Sequence, residues 1–390
     1  MRTVGLGHST RSDAEDAAGE ASARAVEALG GGVPSAAVVV STGAYGGEAA
    51  ARKLVARACR ELGTFEIAGA ALDGLMVGAA EWTAEPAVAV LALADGGAGV
   101  ALLEEVAGHE EALAGELASA FDAAPEPGDL LVLFAEAQAI DGHRAARGLQ
   151  GLGASAVAGM AAGEATGESQ PVWAGDEVVR GGLAALRIPG ASAVRGAGGR
   201  VALTQAGRPL GEPMRITRSR GHWISALDDR PALDVYRDAV PAPLRRDLAR
   251  AARTVLVSLE DRSGPRGHRR RVRNVVGFDA ERGAFSVAEP PGPGDRLALV
   301  ALDPAAAREE LGRLEARLSG PAPAGALYLN CRARARALFD HEGYELGRVE
   351  GILGGCPVLG LMGSHLYARE DERAALELHT YAALAALIDA

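Results

Sequence analysis

The feature that most constrains this chain is a plan stated three times: an apolar run, a polar turn, a helical stretch, then a second apolar run ending in Gly-rich sequence. The first copy runs from Ala36-Ala-Val-Val-Val-Ser-Thr-Gly43 to Ala68-Gly69-Ala-Ala-Leu-Asp73-Gly74. The second runs from Asp129-Leu-Leu-Val-Leu-Phe to Gly159-Met-Ala-Ala-Gly163-Glu164. The third runs from Gly325-Ala-Leu-Tyr-Leu-Asn-Cys331 to Gly360-Leu-Met-Gly363-Ser364-His365. Continuous apolar runs separated by a helix are the mark of buried strands in βαβ units. Each copy is followed by a further apolar strand, at Ala87, Leu183 and Thr380. The expected fold class is therefore α/β, in two halves, each a mostly buried sheet flanked by helices.

Punctuation places the elements. Ser12 and Glu15 stand at capping-box spacing before a helix that stops at Gly30-Gly-Gly. Leu54, Val55, Ala58 and Leu62 line one face of a helix over 47–62. The Gly/Ala-rich connector 191–199 suggests a boundary, with domains at 1–200 and 201–390. The second half reads as a strand at 201, helices over 232–240 and 243–252, and strands near 254–259, 274–278, 285–288 and 297–302.

Composition narrows the function classes. The chain of 390 residues carries a net charge of −11 and 4% aromatics, which disfavours a nucleic-acid binder. Cys59, Cys331 and Cys356 form no C-x-x-C pair, as expected of free thiols in a reducing compartment. The eight histidines show no metal-ligand spacing, so no metal and no cofactor is expected. No apolar segment has signal or spanning length, and the protein is expected in the cytoplasm with no membrane partner.

Strand ends with small residues are where α/β sheets bind ligands, because a ligand there reaches backbone N–H groups. Gly69, Asp73, Gly74, Gly159, Gly163, Glu164, Gly360, Gly363, Ser364 and His365 hold such positions, and crowding in tight turns is the alternative reason for the glycines. Cys331 ends a strand before Arg332 and Arg334; it reads as an inert buried thiol, a pocket wall, or a nucleophile served by His365 or His341. Arg334 suits a bidentate grip on a carboxylate, or else is an exposed helical arginine beside Arg332 and Arg336. The basic run Arg262–Arg273 reads as a solvated loop entering a strand, with Arg271 and Arg273 on one face. Gly5-Leu-Gly and Gly151-Leu-Gly imitate dinucleotide loops, but the first has almost no strand before it and the second lies between a helix and a strand, the reverse of the required order.

The tracts Asp234-Val-Tyr-Arg-Asp-Ala-Val, Arg273-Asn274-Val-Val-Gly-Phe-Asp and Gly325-Ala-Leu-Tyr-Leu-Asn-Cys331-Arg-Ala-Arg334 resemble the C-terminal half of FIST proteins. The opening half, with its Ala-rich helix and Ala68-Gly69, is similar to the FIST N-terminal half. The most specific element is the strand ending in Cys331 and Arg334. The family's Gly-Glu pair is absent from the third copy, where Gly363-Ser364-His365 stands, and occurs in the second as Gly163-Glu164. The resemblance implies a bacterial, non-enzymatic sensory protein that binds a small polar metabolite, such as an amino acid, and signals to a separate protein. It adds Arg273 and Asn274 to the ligand-binding candidates. The alternative is a Cys-nucleophile hydrolase or transferase centred on Cys331. A third possibility is a scaffold with a vestigial site.

Overall fold

The computed structural model describes residues 2–94, 96–154, 156–163, 170–190, 201–261, 269–292, 294–318, 320–334, 336–370 and 374–390. The connector 191–199 lies outside them. The chain forms two compact units. The first comprises Met1–Thr204, Leu311–Leu378 and Ala382–Ala390; the second comprises Gln205–Glu310 and His379–Tyr381.

The first unit is α/β and contains all three copies. The first copy is β1 (Thr3–Ser9), α1 (Ala14–Ala28), β2 (Pro34–Thr42), α2 (Gly47–Leu62), β3 (Ile67–Leu72), β4 (Gly74–Val77), β5 (Ala80–Trp82) and β6 (Val88–Ala94). The second is β7 (Gly99–Leu103), α3 (Leu113–Ala120), β8 (Leu130–Glu136), α4 (Gly142–Gly148), β9 (Ala156–Ala162), β10 (Val172–Ala174), β11 (Glu177–Val179) and β12 (Leu183–Ile188). The third opens with β13 (Val201–Gln205) and is then interrupted by the second unit.

That insertion holds β14 (Gly207–Pro209), β15 (Met214–Arg220), β16 (Trp223–Leu227), β17 (Arg230–Pro231), α5 (Ala232–Ala239), α6 (Leu248–Ala251), β18 (Val255–Asp261), β19 (Arg269–Arg273), β20 (Val275–Asp279), β21 (Ala284–Val287) and β22 (Arg296–Leu302). The third copy resumes with α7 (Pro304–Leu318), β23 (Gly325–Cys331), α8 (Arg336–Phe339), α9 (Tyr344–Ile352), β24 (Val358–Gly363), β25 (His365–Arg369), β26 (Glu377–His379) and β27 (Ala382–Ile388).

The three sheets of the first unit share one order. They are β1-β6-β2-β3-β10-β11, β7-β12-β8-β9-β25-β26 and β13-β27-β23-β24-β4-β5. In each, the parallel pair at the centre comes from one copy and the last two strands are a hairpin donated by another. The donation is cyclic: the first copy completes the sheet of the third, the third that of the second, and the second that of the first. One apolar cluster takes residues from all three sheets, among them Val38, Val40, Val132, Phe134, Leu327 and Leu329. The opposite faces of the first two sheets pack on their own helices, through Val39 with Leu54 and Leu133 with Leu149.

Local chemistry explains the element ends. α1 is capped by the Asp13 carboxylate, which accepts from the backbone N–H of Glu15 and Asp16, rather than by the expected Ser12. Gly5 and Gly7 serve helix packing: a Cβ at either would sit 2.1 Å from a carbonyl oxygen of α1. In the second unit, the helix expected over 243–252 shrinks to α6. Arg245-Arg246-Asp247 breaks the apolar period there, and Asp247 caps afresh onto Arg250 N–H. The second unit is a nine-stranded sheet with α5 over one face, packed through Tyr236, Val257, Phe285 and Leu299.

Candidate functional site

Gly69, Gly159 and Gly360 occupy the same place in the three parallel pairs, three residues before the strand end. Each faces a large residue of the donated hairpin: Trp173, Tyr367 and Met76 respectively. A Cβ at Gly69 would lie 1.6 Å from the Val39 carbonyl oxygen, which instead accepts a 3.0 Å hydrogen bond from the Trp173 indole. At Gly360 the added atom would come within 2.6 Å of Met76 Cβ, and at Gly159 within 3.1 Å of Tyr367 Cβ. The glycines thus make room for a neighbour's side chain in β3, β9 and β24. They are strand residues and not the loop residues expected.

The stretch 360–365 is likewise no loop. β24 runs through Gly363, Ser364 alone breaks the strand, and β25 begins at His365 in another sheet. Asp73 makes the same one-residue passage between β3 and β4, and Gly163 follows β9. These three equivalent residues meet. Asp73 Oδ1 accepts from Gly163 N–H at 3.1 Å, and Oδ2 accepts from the Ser364 hydroxyl at 3.0 Å. The Ser364 N–H donates to Ala161 O and the Asp73 N–H to Met362 O, so all three strand ends are fastened together. The Cys331 thiol joins them, donating to the Ser364 carbonyl at 3.4 Å. Asp73, Ser364 and Cys331 are buried. Glu164, the acid of the Gly-Glu pair, lies outside the described residues.

His365 is buried, with Nε2 3.1 Å from the Tyr367 hydroxyl and the two rings edge to face. Burial, then the carboxylates of Asp141 and Glu110, hold the Tyr367 phenol in its protonated form. His341, the other imidazole weighed beside Cys331, is exposed, and its Nδ1 stands 2.7 Å from Glu342 O.

Arg334 overturns the picture of an exposed helical arginine. It sits in the turn after β23, before α8 begins, and is 0% exposed. Its Nε donates to Glu345 Oε1 at 3.0 Å, and Nη2 bonds the same oxygen. Tyr328 OH donates to Glu345 Oε1 and Asn330 Nδ2 to Oε2, each at 2.8 Å. Burial works against the Arg334 charge, but Glu345 outweighs it and holds the guanidinium above its ordinary pKa. Burial, and then Glu345, push the Tyr328 phenol well up. Two atoms of this cluster remain buried without a hydrogen-bond partner among the described residues: Arg334 Nη1 and Asn330 Oδ1. Glu345 escaped the sequence reading. Its signal is its spacing four residues before the buried Val349, which puts a carboxylate on the inner stripe of α9.

Arg273 and Asn274 belong to the second unit. The buried Arg273 pairs with Glu289 Oε2 at 2.6 Å, and Arg271 reaches Oε1 of the same residue at 3.0 Å, so the two arginines share a face as expected. Asn274 is exposed, and its carbonyl accepts from Ala288 N–H. The start of the basic run, 262–268, lies outside the described residues. Among the described residues no cluster of His, Cys, Asp and Glu is arranged to hold a metal, and no helix is long and apolar enough to cross a membrane.

Comparison with known proteins identifies the family. The FIST N domain matches residues 9–230 and the FIST C domain residues 232–363. The uncharacterized protein Rv0628c of Mycobacterium tuberculosis is 28% identical over 370 residues, 93% of each chain. The uncharacterized protein Mb0898c of Mycobacterium bovis is 26% identical over 370 residues, 93% of this chain and 92% of its own.

Proposed function

The chain belongs to the FIST family, a sensory family, and from that premise we propose that it is a non-enzymatic receptor for a small polar metabolite. The ligand class is an amino acid or a related compound, and the bound state passes to a separate signalling protein in the cytoplasm. The observation that carries the reading is the meeting of Asp73, Gly163 and Ser364. A guest that moves one strand end there acts on all three copies at once, which is what a sensor needs from a binding event. The Arg334–Glu345 cluster lies at the end of the same strand as Cys331 and offers polar atoms with no hydrogen-bond partner among the described residues. There the ligand's own charge matters. Glu345 already answers the Arg334 cation, so a ligand carboxylate has to share that cation or displace Glu345.

The Cys331 thiol donates to a carbonyl from a buried position, the reverse of the exposed thiolate a nucleophile requires, and this supports the non-enzymatic reading. The test is thermal-shift screening against amino acids and organic acids, with mass spectrometry of the natively purified protein. A ligand at about 100 times its Kd adds about 2.7 kcal/mol of stability. If no compound raises the Tm and nothing co-purifies, the site is vestigial and the reading fails.

A further inference from the structure

We propose that the β15–β16–β21–β20 part of the second unit's sheet, on the face away from α5 and centred on Trp223, docks an acidic segment of a partner protein carrying one apolar anchor residue. The proposal deepens the reading that signalling passes to a separate protein, and names that partner's chemistry.

Charge is divided unequally along the chain. Residues 205–310 carry 19 arginines against 15 aspartates and glutamates, a net charge of +4. The remainder holds 21 basic and 36 acidic residues, a net of −15. Within the basic unit, Arg215, Arg218 and Arg220 are exposed on β15, and none makes an ion pair among the described residues. Cations without a carboxylate partner on an exposed strand are free to meet one from outside.

An apolar centre adjoins them. Arg220 is directly opposite Trp223 across the β15–β16 hairpin, Trp223 is opposite Ser286, and Ser286 is opposite Gly277. Residues directly opposite share a sheet face, so these four form one row across the strands. Ser286 is buried although its neighbours Phe285 and Val287 point into the core on the other side. A Cβ at Gly277 would stand 3.5 Å from the Trp223 ring and 2.9 Å from Ser286 Oγ. The ring therefore lies on a floor of small residues, and 37% of Trp223 remains exposed. Val276, 61% exposed at the bulge in β20, adds to the apolar surface.

A fixed tryptophan rimmed by arginines has the composition of a protein-interface anchor. A nucleic-acid strand asks for several stacking platforms along a charged groove. Trp223 is the one aromatic among the exposed large hydrophobic residues described in this unit. An acidic peptide with a single apolar residue matches the row: carboxylates on Arg218 and Arg220, the anchor on Trp223 and Val276.

The probe is a fluorescent peptide, Glu-Asp-Glu-Leu-Glu-Asp-Glu, titrated by anisotropy into the full-length protein with no metabolite added. Binding is expected to weaken at least tenfold with Trp223→Ala, with Arg220→Glu, and when the peptide's Leu is replaced by Ser. Arg220→Glu changes an exposed side chain, and so keeps the test decisive if Trp223→Ala folds poorly. Equal binding by wild type and Arg220→Glu overturns the proposal. So does tighter binding of an oligothymidylate of equal charge, or of phosphatidylglycerol vesicles. The metabolite screen is a separate measurement, so failure of the sensor reading and failure of this docking face are told apart.

Discussion

The second and third copies of the first unit have the same frame and opposite interiors on the helix side. At the two positions preceding the strand end on that face, the second copy has Leu133 and Ala135, packed in an apolar cluster with α4. The third has Tyr328 and Asn330, bound to the Arg334–Glu345 pair. One frame thus accepts either filling, so the fold does not demand the ion pair. Apolar replacements of a buried pair are often neutral or stabilising, while the pair itself costs desolvation. A cost that one copy carries and its twin avoids points to use rather than stability.

Breaking the pair from one side gives the largest expected effect. Glu345→Ala strands the Arg334 cation in a dry site and should cost about 3–5 kcal/mol in urea unfolding. Converting the whole third-copy cluster to the apolar pattern, with Tyr328→Phe, Asn330→Ala, Arg334→Met and Glu345→Leu together, should leave stability level or raise it by about 1–4 kcal/mol. That variant should also abolish any metabolite-induced Tm shift. A strongly destabilised quadruple variant would show that the third copy needs its charges to fold.

The glycine slots sharpen the comparison at the next level. Overpacking costs about 1–3 kcal/mol, and more when backbone is struck. Gly69→Ala meets the Val39 carbonyl and should be the most destabilising, Gly360→Ala intermediate, and Gly159→Ala mildest. Chemical denaturation of the three single variants gives the order directly. Asp73→Ala removes the acceptor of two buried donors, at about 1–3 kcal/mol for each group left unsatisfied.

The smallest effect is in alkali. Burial pushes the Cys59 and Cys356 thiols up to about 11. Their folded-state pKa lies above the unfolded value, so their contribution to stability is complete below about pH 8.5 and fades as pH rises toward 11. Alkylation of both should stay slow at pH 8 and quicken near pH 11. Fast labelling at neutral pH would mean that these thiols are not shielded in solution.

The three copies and their central strands were legible because apolar runs and helical periods are local signals, whereas β1, β7 and the short donated strands β4, β5, β10, β11, β25 and β26 were not. The cyclic exchange was not. β10 is three residues long and pairs with β3, about a hundred positions away, and no local pattern announces such a partner. The glycines were visible but ambiguous, since a small residue equally admits a ligand or a neighbour's Trp173. Arg334 was visible while its partner was not, because Glu345 reads as an ordinary helix carboxylate until its spacing to Val349 is weighed. The boundary expected at 200 rests on the Gly/Ala-rich composition of 191–199. By contact, the chain leaves the first unit near 204 and rejoins it near 311.

The insertion shows where this architecture tolerates growth in evolution. The hairpins that close the ring of copies are fixed in length by the sheets they complete. By contrast, β1, β7 and β13 are the outermost strands of theirs, and the turn after each has no sheet to complete. Only the third copy has used that freedom. Its guest enters and leaves side by side, with Gly207 paired to Leu302 and Asp303 N–H bonded to Ala206 O. The corresponding turns, 10–13 in the first copy and 104–109 in the second, are ready-made splice points, where a reporter or a second guest can be grafted without disturbing the exchange.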